Sequence, residues 1–309
     1  MRELQLRTLE PGDWDSVAQL IFESTNDWYA KNLNRSIFTG DPLCARIFPE
    51  VYEALDPGRC LVLEDADNTR LAGSCFFRER ETHWSLGIMN AHVDYAGQRV
   101  AATLLGEIIG KAEETGKPLR LVSSAMNLDS FSLYTRHGFI PQKVFQDMFI
   151  QVPEYGLGWR PEGIDRVRPG TAEDAPIAAD LEFELQGIRR EKDIKHFITN
   201  ERRIWHTSII ESASGEIDGF LASVNHPGSN MIGPGFARTE ADALALLAVE
   251  LDAHRGRSPV FLVPVDATEM IRELYAAKAR NCELHFAQCR GATAKFDGVW
   301  MPSFMPETG

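Results

Sequence analysis

The chain has 309 residues, 44% of them hydrophobic and 25% charged, a globular composition with length enough for two domains. A formal net charge of −13 argues against nucleic acid and anionic membrane as partners and tolerates a cationic substrate such as an amine, although solubility alone would account for it equally well. No run of ~18 apolar residues is present, the charged start "MRELQLRTLEPGD" lacks a secretory apolar segment, and Cys44, Cys60, Cys75, Cys282 and Cys289 show no ligand spacing, so the expectation is a reduced, cytoplasmic protein without metal.

In chain order, "LQLRTLEPGDWDSVAQLIFES" reads as a strand, a Pro-Gly turn and a helix with Asp13 as N-cap and Val17, Leu20 and Ile21 on one face. The aromatic-rich stretch from Asn26 to Tyr52 reads as irregular. Three strands follow, the first two joined near "DADNTR" and the third starting near Trp84. A turn at "YAGQ" feeds a helix through about Glu114, "KPLRLVSSA" is a buried strand, and "NLDSFSLYTRHGF" is a helix stopped by Gly138. "QDMFIQVP" is expected to close the unit as a strand. The Gly- and Pro-rich residues 155–163 read as a linker.

After the linker the order restarts. Arg7 stands six positions before Asp13, and Arg168 six before Asp174. Leu104-Leu105 return as Leu246-Leu247 and Leu133-Tyr134 as Leu274-Tyr275, at offsets of 142 and 141 against 161 at the front of each half. This predicts a tandem repeat of one fold, with the second copy shorter by about 20 residues between its first strand and central helix. The tail "FDGVWMPSFMPETG" is too Pro-rich for a helix and is expected along the second domain as an edge strand or loop.

The helix start at 97–102 is the candidate binding element. Its first N–H groups have no internal partner and favour an anion. Ala96, Gly97, Ala101 and Ala102 allow close approach, no Asp or Glu occupies 95–106, and Arg99 adds a cation. A plain turn before a core helix fits these residues as well. In the second half Thr239 and Asp242 form a capping box, and Glu240 and Asp242 put two negative charges in the first turn, which repels a phosphate.

"AGQRVAATLL" and "NLDSFSLYTRHGF" resemble the two motifs of the GNAT superfamily of N-acetyltransferases. Gly97, Val100, Ala101, Leu104 and Leu105 match the first motif, with Ala96 and Arg99 in place of its leading Arg and central Gly; Asn127, Leu133, Tyr134, Gly138 and Phe139 match the second. The resemblance implies an α/β (α+β) chain of two consecutive GNAT-like domains, each a mixed, twisted, splayed sheet flanked by helices: 1–154 with acyl-CoA binding, and 164–309 as a degenerate copy. Acetyl-CoA would be the co-substrate. Its pyrophosphate would meet Gly97, Gln98, Arg99, Val100, Ala101 and Ala102, its pantetheine would pair with Met89, Asn90 and Ala91, and Asn127 would touch that arm. Tyr134 would be the general acid; the base would be His92 directly or Glu81 through water. Asn26, Trp28 and Tyr29 would lie at the acceptor pocket of a small-molecule or amino-acid-like amine. Tyr275 is read as structural. A homodimer is compatible with this reading. The alternative is a non-catalytic acyl-CoA sensor or scaffold.

Overall fold

In each half one arginine ties the opening strand to the helix after it. The structure, a computed structural model, describes residues 3–304. From β1 (Leu4–Thr8), Arg7 holds both oxygens of Asp13 at 2.6 and 2.9 Å and reaches Glu64 on β2 (Cys60–Asp65). From β7 (Val167–Pro169), Arg168 holds Asp174 at 2.7 and 2.8 Å and reaches Glu211 on β8 (Trp205–Glu211). Two-point pairing fixes the guanidinium plane and so the angle between strand and helix. Asp13 is therefore engaged by Arg7 and by the Glu10 N–H, and makes no side-chain cap bond to the helix it precedes.

That helix, α1 (Trp14–Leu33), runs for 20 residues, against 13 in its counterpart α5 (Asp174–Gln186). The stretch expected to be irregular is thus helical through Leu33 and again in α2 (Ile47–Leu55). Thr25, Asn26 and Asp27 are poor helix formers, and tertiary contacts override them, the Asn26 amide being bonded to the backbone of Ile37 and Phe38.

The first half continues with β3 (Leu71–Glu79), β4 (Trp84–Ala91), α3 (Val100–Thr115), β5 (Leu119–Ser124), α4 (Leu128–Arg136) and β6 (Ile140–Phe149). The second continues from α5 with α6 (Glu191–Thr199), β8, β9 (Ile217–Val224), β10 (Met231–Ala237), α7 (Glu240–Asp252), β11 (Val260–Pro264), α8 (Thr268–Ala276), β12 (Arg280–Arg290) and β13 (Val299–Met301).

All strands join one sheet, in the order β1-β2-β3-β4-β5-β12-β6-β11-β10-β9-β8-β7, with β13 on β10. The expectation that residues 146–153 close the first unit is therefore corrected. β12 runs along β5 from His285 opposite Ser124 to Arg290 opposite Leu119, while β6 crosses to β11. β6 and β12 also pair with each other, from Arg280 opposite Phe149 to Cys289 opposite Ile140. The exchange leaves no bare strand edge in the middle of the sheet. It also places residues of the second half beside the first half's central strands.

At the end of α7, His254 is 2% exposed, and its Nδ1 is buried without a partner. Burial, with Arg257 next, pushes its pKa down to about 4. An imidazole that protonates near ~6.5 when unfolded contributes stability that is fully present above that value and is lost as pH falls toward about 4. His254→Gln is expected to lose less melting temperature than the wild type across that window. Parallel curves would remove His254 from the acid response.

Candidate active site

Each half has a parallel strand pair that separates after two residues. β4 pairs with β5 only at Trp84–Leu119 and Ser85–Arg120, and β10 with β11 only at Met231–Val260 and Ile232–Phe261. In the second half the gap is filled. β13 lies antiparallel on β10, with Gly235 opposite Met301, Phe236 opposite Trp300 and Ala237 opposite Val299. Trp300 is 2% exposed, its ring 5.3 Å from that of Phe145 and 5.4 Å from that of Phe296. The tail expected at an edge is thus an inner strand; its residues 305–309 lie outside the described residues. In the first half the facing edge of β4, including Met89, Asn90 and Ala91, has no strand partner beyond Ser85 among the described residues.

The helix starts beside the two gaps differ in the same sense. Gly97 at φ 76° and Arg99 at φ 62° turn the chain into α3, and Arg99 supplies no side-chain cap. The N–H groups of Val100, Ala101 and Ala102 precede the first intrahelical bond, Thr103 N–H to Arg99 O at 2.9 Å. Arg99 is exposed and has no ion-pair partner among the described residues. At α7, Thr239 accepts from Asp242 N–H at 3.1 Å and donates to its carboxylate at 2.6 Å, and Glu240 caps Met270 N–H at 2.7 Å. A carboxylate introduced at the free start should compete with a phosphate. Ala101→Glu is expected to weaken acetyl-CoA binding about tenfold by calorimetry without lowering the melting temperature, since an acid in the first turn favours the helix. Unchanged affinity would exclude this helix start as the anion site.

Tyr134 lies on α4, 6% exposed, its ring 5.7 Å from that of Phe139. Burial, with Cys75 next, pushes its hydroxyl above the ordinary phenol range, so it is held protonated. Among the described residues its hydroxyl has no hydrogen-bond partner. Asn127 caps α4, its Oδ1 accepting from Ser130 N–H at 3.0 Å, which leaves its Nδ2. Tyr275, the counterpart of Tyr134, is 48% exposed and donates to Gln146 at 3.1 Å.

Several expected residues are engaged elsewhere. His92 Nδ1 accepts from Asp94 N–H at 3.1 Å, and its Nε2 lies 3.1 Å from Glu23 and 2.8 Å from Arg70, so both ring nitrogens have neighbours. Glu81 sits in the β3–β4 turn, 3.4 Å from Arg189, with the length of β4 between it and Ala91. Asn26 ties α1 to residues 37–38, as above. Trp28 and Tyr29 meet edge to face at 5.0 Å on the last turns of α1. The Tyr29 hydroxyl donates to Glu283 at 2.8 Å, a residue that no local pattern singled out.

A surface cavity of about 690 Å³ lies between residues 155–167 and α7 and shares no residue with the gap. Its charged walls are already paired, Arg160 with Asp165 and Arg255 with Asp252. Among the described residues no His, Cys, Asp and Glu group could hold a metal, and no helix is long and apolar enough to cross a membrane.

In the first half, then, a parallel strand pair separates beside an uncapped helix start. Residues 22–139 match the model of the Acetyltransferase (GNAT) family. A search of curated proteins gives no match. Among solved structures, an acetyltransferase-like protein from Pyrococcus horikoshii is similar over 99% of this chain and 96% of its own, with TM-score 0.76 and 15% identity. A GCN5-related N-acetyltransferase from Sphaerobacter thermophilus is similar over 95% and 97%, with TM-score 0.64 and 18% identity. A tandem GNAT protein from the clavulanic acid biosynthesis pathway is similar over 94% and 100%, with TM-score 0.63 and 13% identity. Residues 22–139 are thus similar to a GNAT domain, and the chain as a whole has the tandem GNAT fold. Acyl transfer from CoA is the class of chemistry this family carries.

Proposed function

We propose that the chain is an N-acetyltransferase working through residues 1–154, which transfers an acetyl group from acetyl-CoA to the primary amine of a small molecule. Residues 164–309 form a supporting copy joined through 155–163. One observation carries this reading: of two equivalent gaps, the one beside the uncapped helix start has no strand in it among the described residues, and the other is filled by β13. The residues fit the co-substrate. The N–H groups of Gly97 and of Arg99 to Ala102, with the Arg99 guanidinium, suit a pyrophosphate, while the Gln98 N–H is held by Tyr95 O. The open edge of β4 from Met89 to Ala91 suits the pantetheine amides, and Asn127 Nδ2 has a donor to give.

Transfer requires a neutral amine, a polarised thioester carbonyl and a proton for the departing sulfur. Backbone N–H groups near Ala91 supply the polarisation. The amine nitrogen forms the C–N bond as the C–S bond breaks. Tyr134 gives its proton to the sulfur and recovers one from the new amide nitrogen. His92 is not given the base role here, because both its nitrogens are occupied. Glu81 is not either, because β4 separates it from the gap.

The test is acetyl-CoA binding by calorimetry together with turnover on an amine panel. Binding with turnover is expected. Binding without turnover would favour an acyl-CoA sensor, and absence of binding a scaffold.

A further inference from the structure

α1 bridges the mouth of the open gap, and on the far side it meets the second half. On the β4 side, Ser24 accepts from the Asn90 amide at 2.8 Å. Five residues on, about 7.5 Å along the helix axis, Tyr29 donates to Glu283 on β12. The same carboxylate accepts from the Ser124 hydroxyl at the end of β5. Glu283 therefore stands where β4 and β5 have parted. It lies opposite Asp147 of β6, and His285 lies opposite Ser124, with His285 Nδ1 2.8 Å from Asp147. Glu283, Asp147 and His285 are 6%, 4% and 5% exposed.

Two observations suit this cluster to a cationic ligand. The first is charge. Two buried carboxylates face each other across a strand pair, an unfavourable arrangement; the one guanidinium beside them is Arg35, 3.3 Å from Glu283 and itself partly exposed. The second is acceptors that no protein group uses. In the tautomer that donates Nδ1–H to Asp147, His285 Nε2 is a lone-pair acceptor, and it has no partner among the described residues. Asn90 Oδ1, buried at the other wall of the mouth, has no partner either. An ammonium group supplies both the missing charge and the missing N–H donors.

We propose that Glu283 and His285, both carried by the second half, form the recognition end for the acceptor's ammonium group, that His285 Nε2 takes one proton from it so that the nitrogen attacks as the neutral amine, and that this end selects primary amines with no carboxylate beside the nitrogen. The inference rests on the acetyl-transfer reading above and makes it more specific. A carboxylate next to the amine would meet Glu283 and Asp147 and be repelled. It also gives the second half a chemical part in the first half's site, delivered by the strand exchange.

The test uses the full chain, acetyl-CoA and four probes: benzylamine and cadaverine, which lack a carboxylate, and glycine and phenylalanine, which carry one. The first two are expected to show kcat/KM at least about tenfold above the others. Glu283→Gln is expected to raise KM for benzylamine about tenfold and leave KM for acetyl-CoA within about twofold. Arg35→Gln removes the competing cation from a partly exposed position and is expected to lower KM for benzylamine; it decides the matter should Glu283→Gln fail to fold. Preference for the amino acids, or a benzylamine KM unmoved by both variants, overturns the inference while acetyl transfer stands. A wild-type chain that fails to bind acetyl-CoA, or that acetylates none of the four, overturns this inference; failure to bind also overturns the transfer reading.

Discussion

Tyr134→Phe is expected to lower kcat by ~10²-fold or more, the usual scale of proton transfer by a positioned side chain, with acetyl-CoA affinity and melting temperature close to wild type. The substitution removes one oxygen. The ring stays packed against Phe139 at 5.7 Å, and no hydrogen bond within the described chain is lost with the hydroxyl. Burial has already raised that hydroxyl's pKa, so at neutral pH it is a proton donor and not a phenolate. A thiolate leaving without a proton is the slower path, and the penalty should fall on kcat alone. A kcat reduced less than about threefold would remove Tyr134 from the acid role, since general acid catalysis of this kind contributes far more.

Asp193→Ala is expected to cost about 3–5 kcal/mol of stability, the range for breaking a buried ion pair from one side. Asp193, on α6, is fully buried and holds Arg80 at 2.7 Å and Arg78 at 3.5 Å, both from the first half. Although burial opposes its charge, the two guanidiniums hold its carboxyl well below the usual range. Arg78 has one further carboxylate, Asp56 at 2.6 Å, and Arg80 would be left buried without one. Because the pair joins the halves, and β6 and β12 are exchanged between them, the loss should appear as one lowered unfolding midpoint for the whole chain. Separate transitions, with one half unaffected, would contradict a shared sheet.

Much of the frame is legible in the sequence. The matched spacing of Arg7 to Asp13 and of Arg168 to Asp174 becomes the same two-point ion pair in both halves. The acid-free start of α3 and the Thr239–Asp242 box of α7 are local patterns, and they appear as uncapped and capped helix starts. Long-range pairings carry no such mark. Nothing near residue 140 states that β6 will lie between β12 and β11, because an apolar strand satisfies its backbone equally well on either partner. Trp300 reads as tail until its partner Phe236 is known. Asn26 and His92 are polar residues of the right type in the right segment, and only their bonds to Phe38 and to Asp94 and Glu23 show them engaged in the scaffold. Glu283 is invisible for the same reason as β6: its neighbours Tyr29 and Ser124 are 254 and 159 positions away.

The central claim is that one gap of two takes the co-substrate. A crystal structure of the protein soaked with acetyl-CoA tests it most directly. The account predicts the pantetheine arm between β4 and β5, the diphosphate on the N–H groups of Val100, Ala101 and Ala102, the sulfur beside the Tyr134 hydroxyl, and β13 still on β10. Acetyl-CoA lying against β10 with β13 displaced, or the first gap closed by its own side chains, would contradict it.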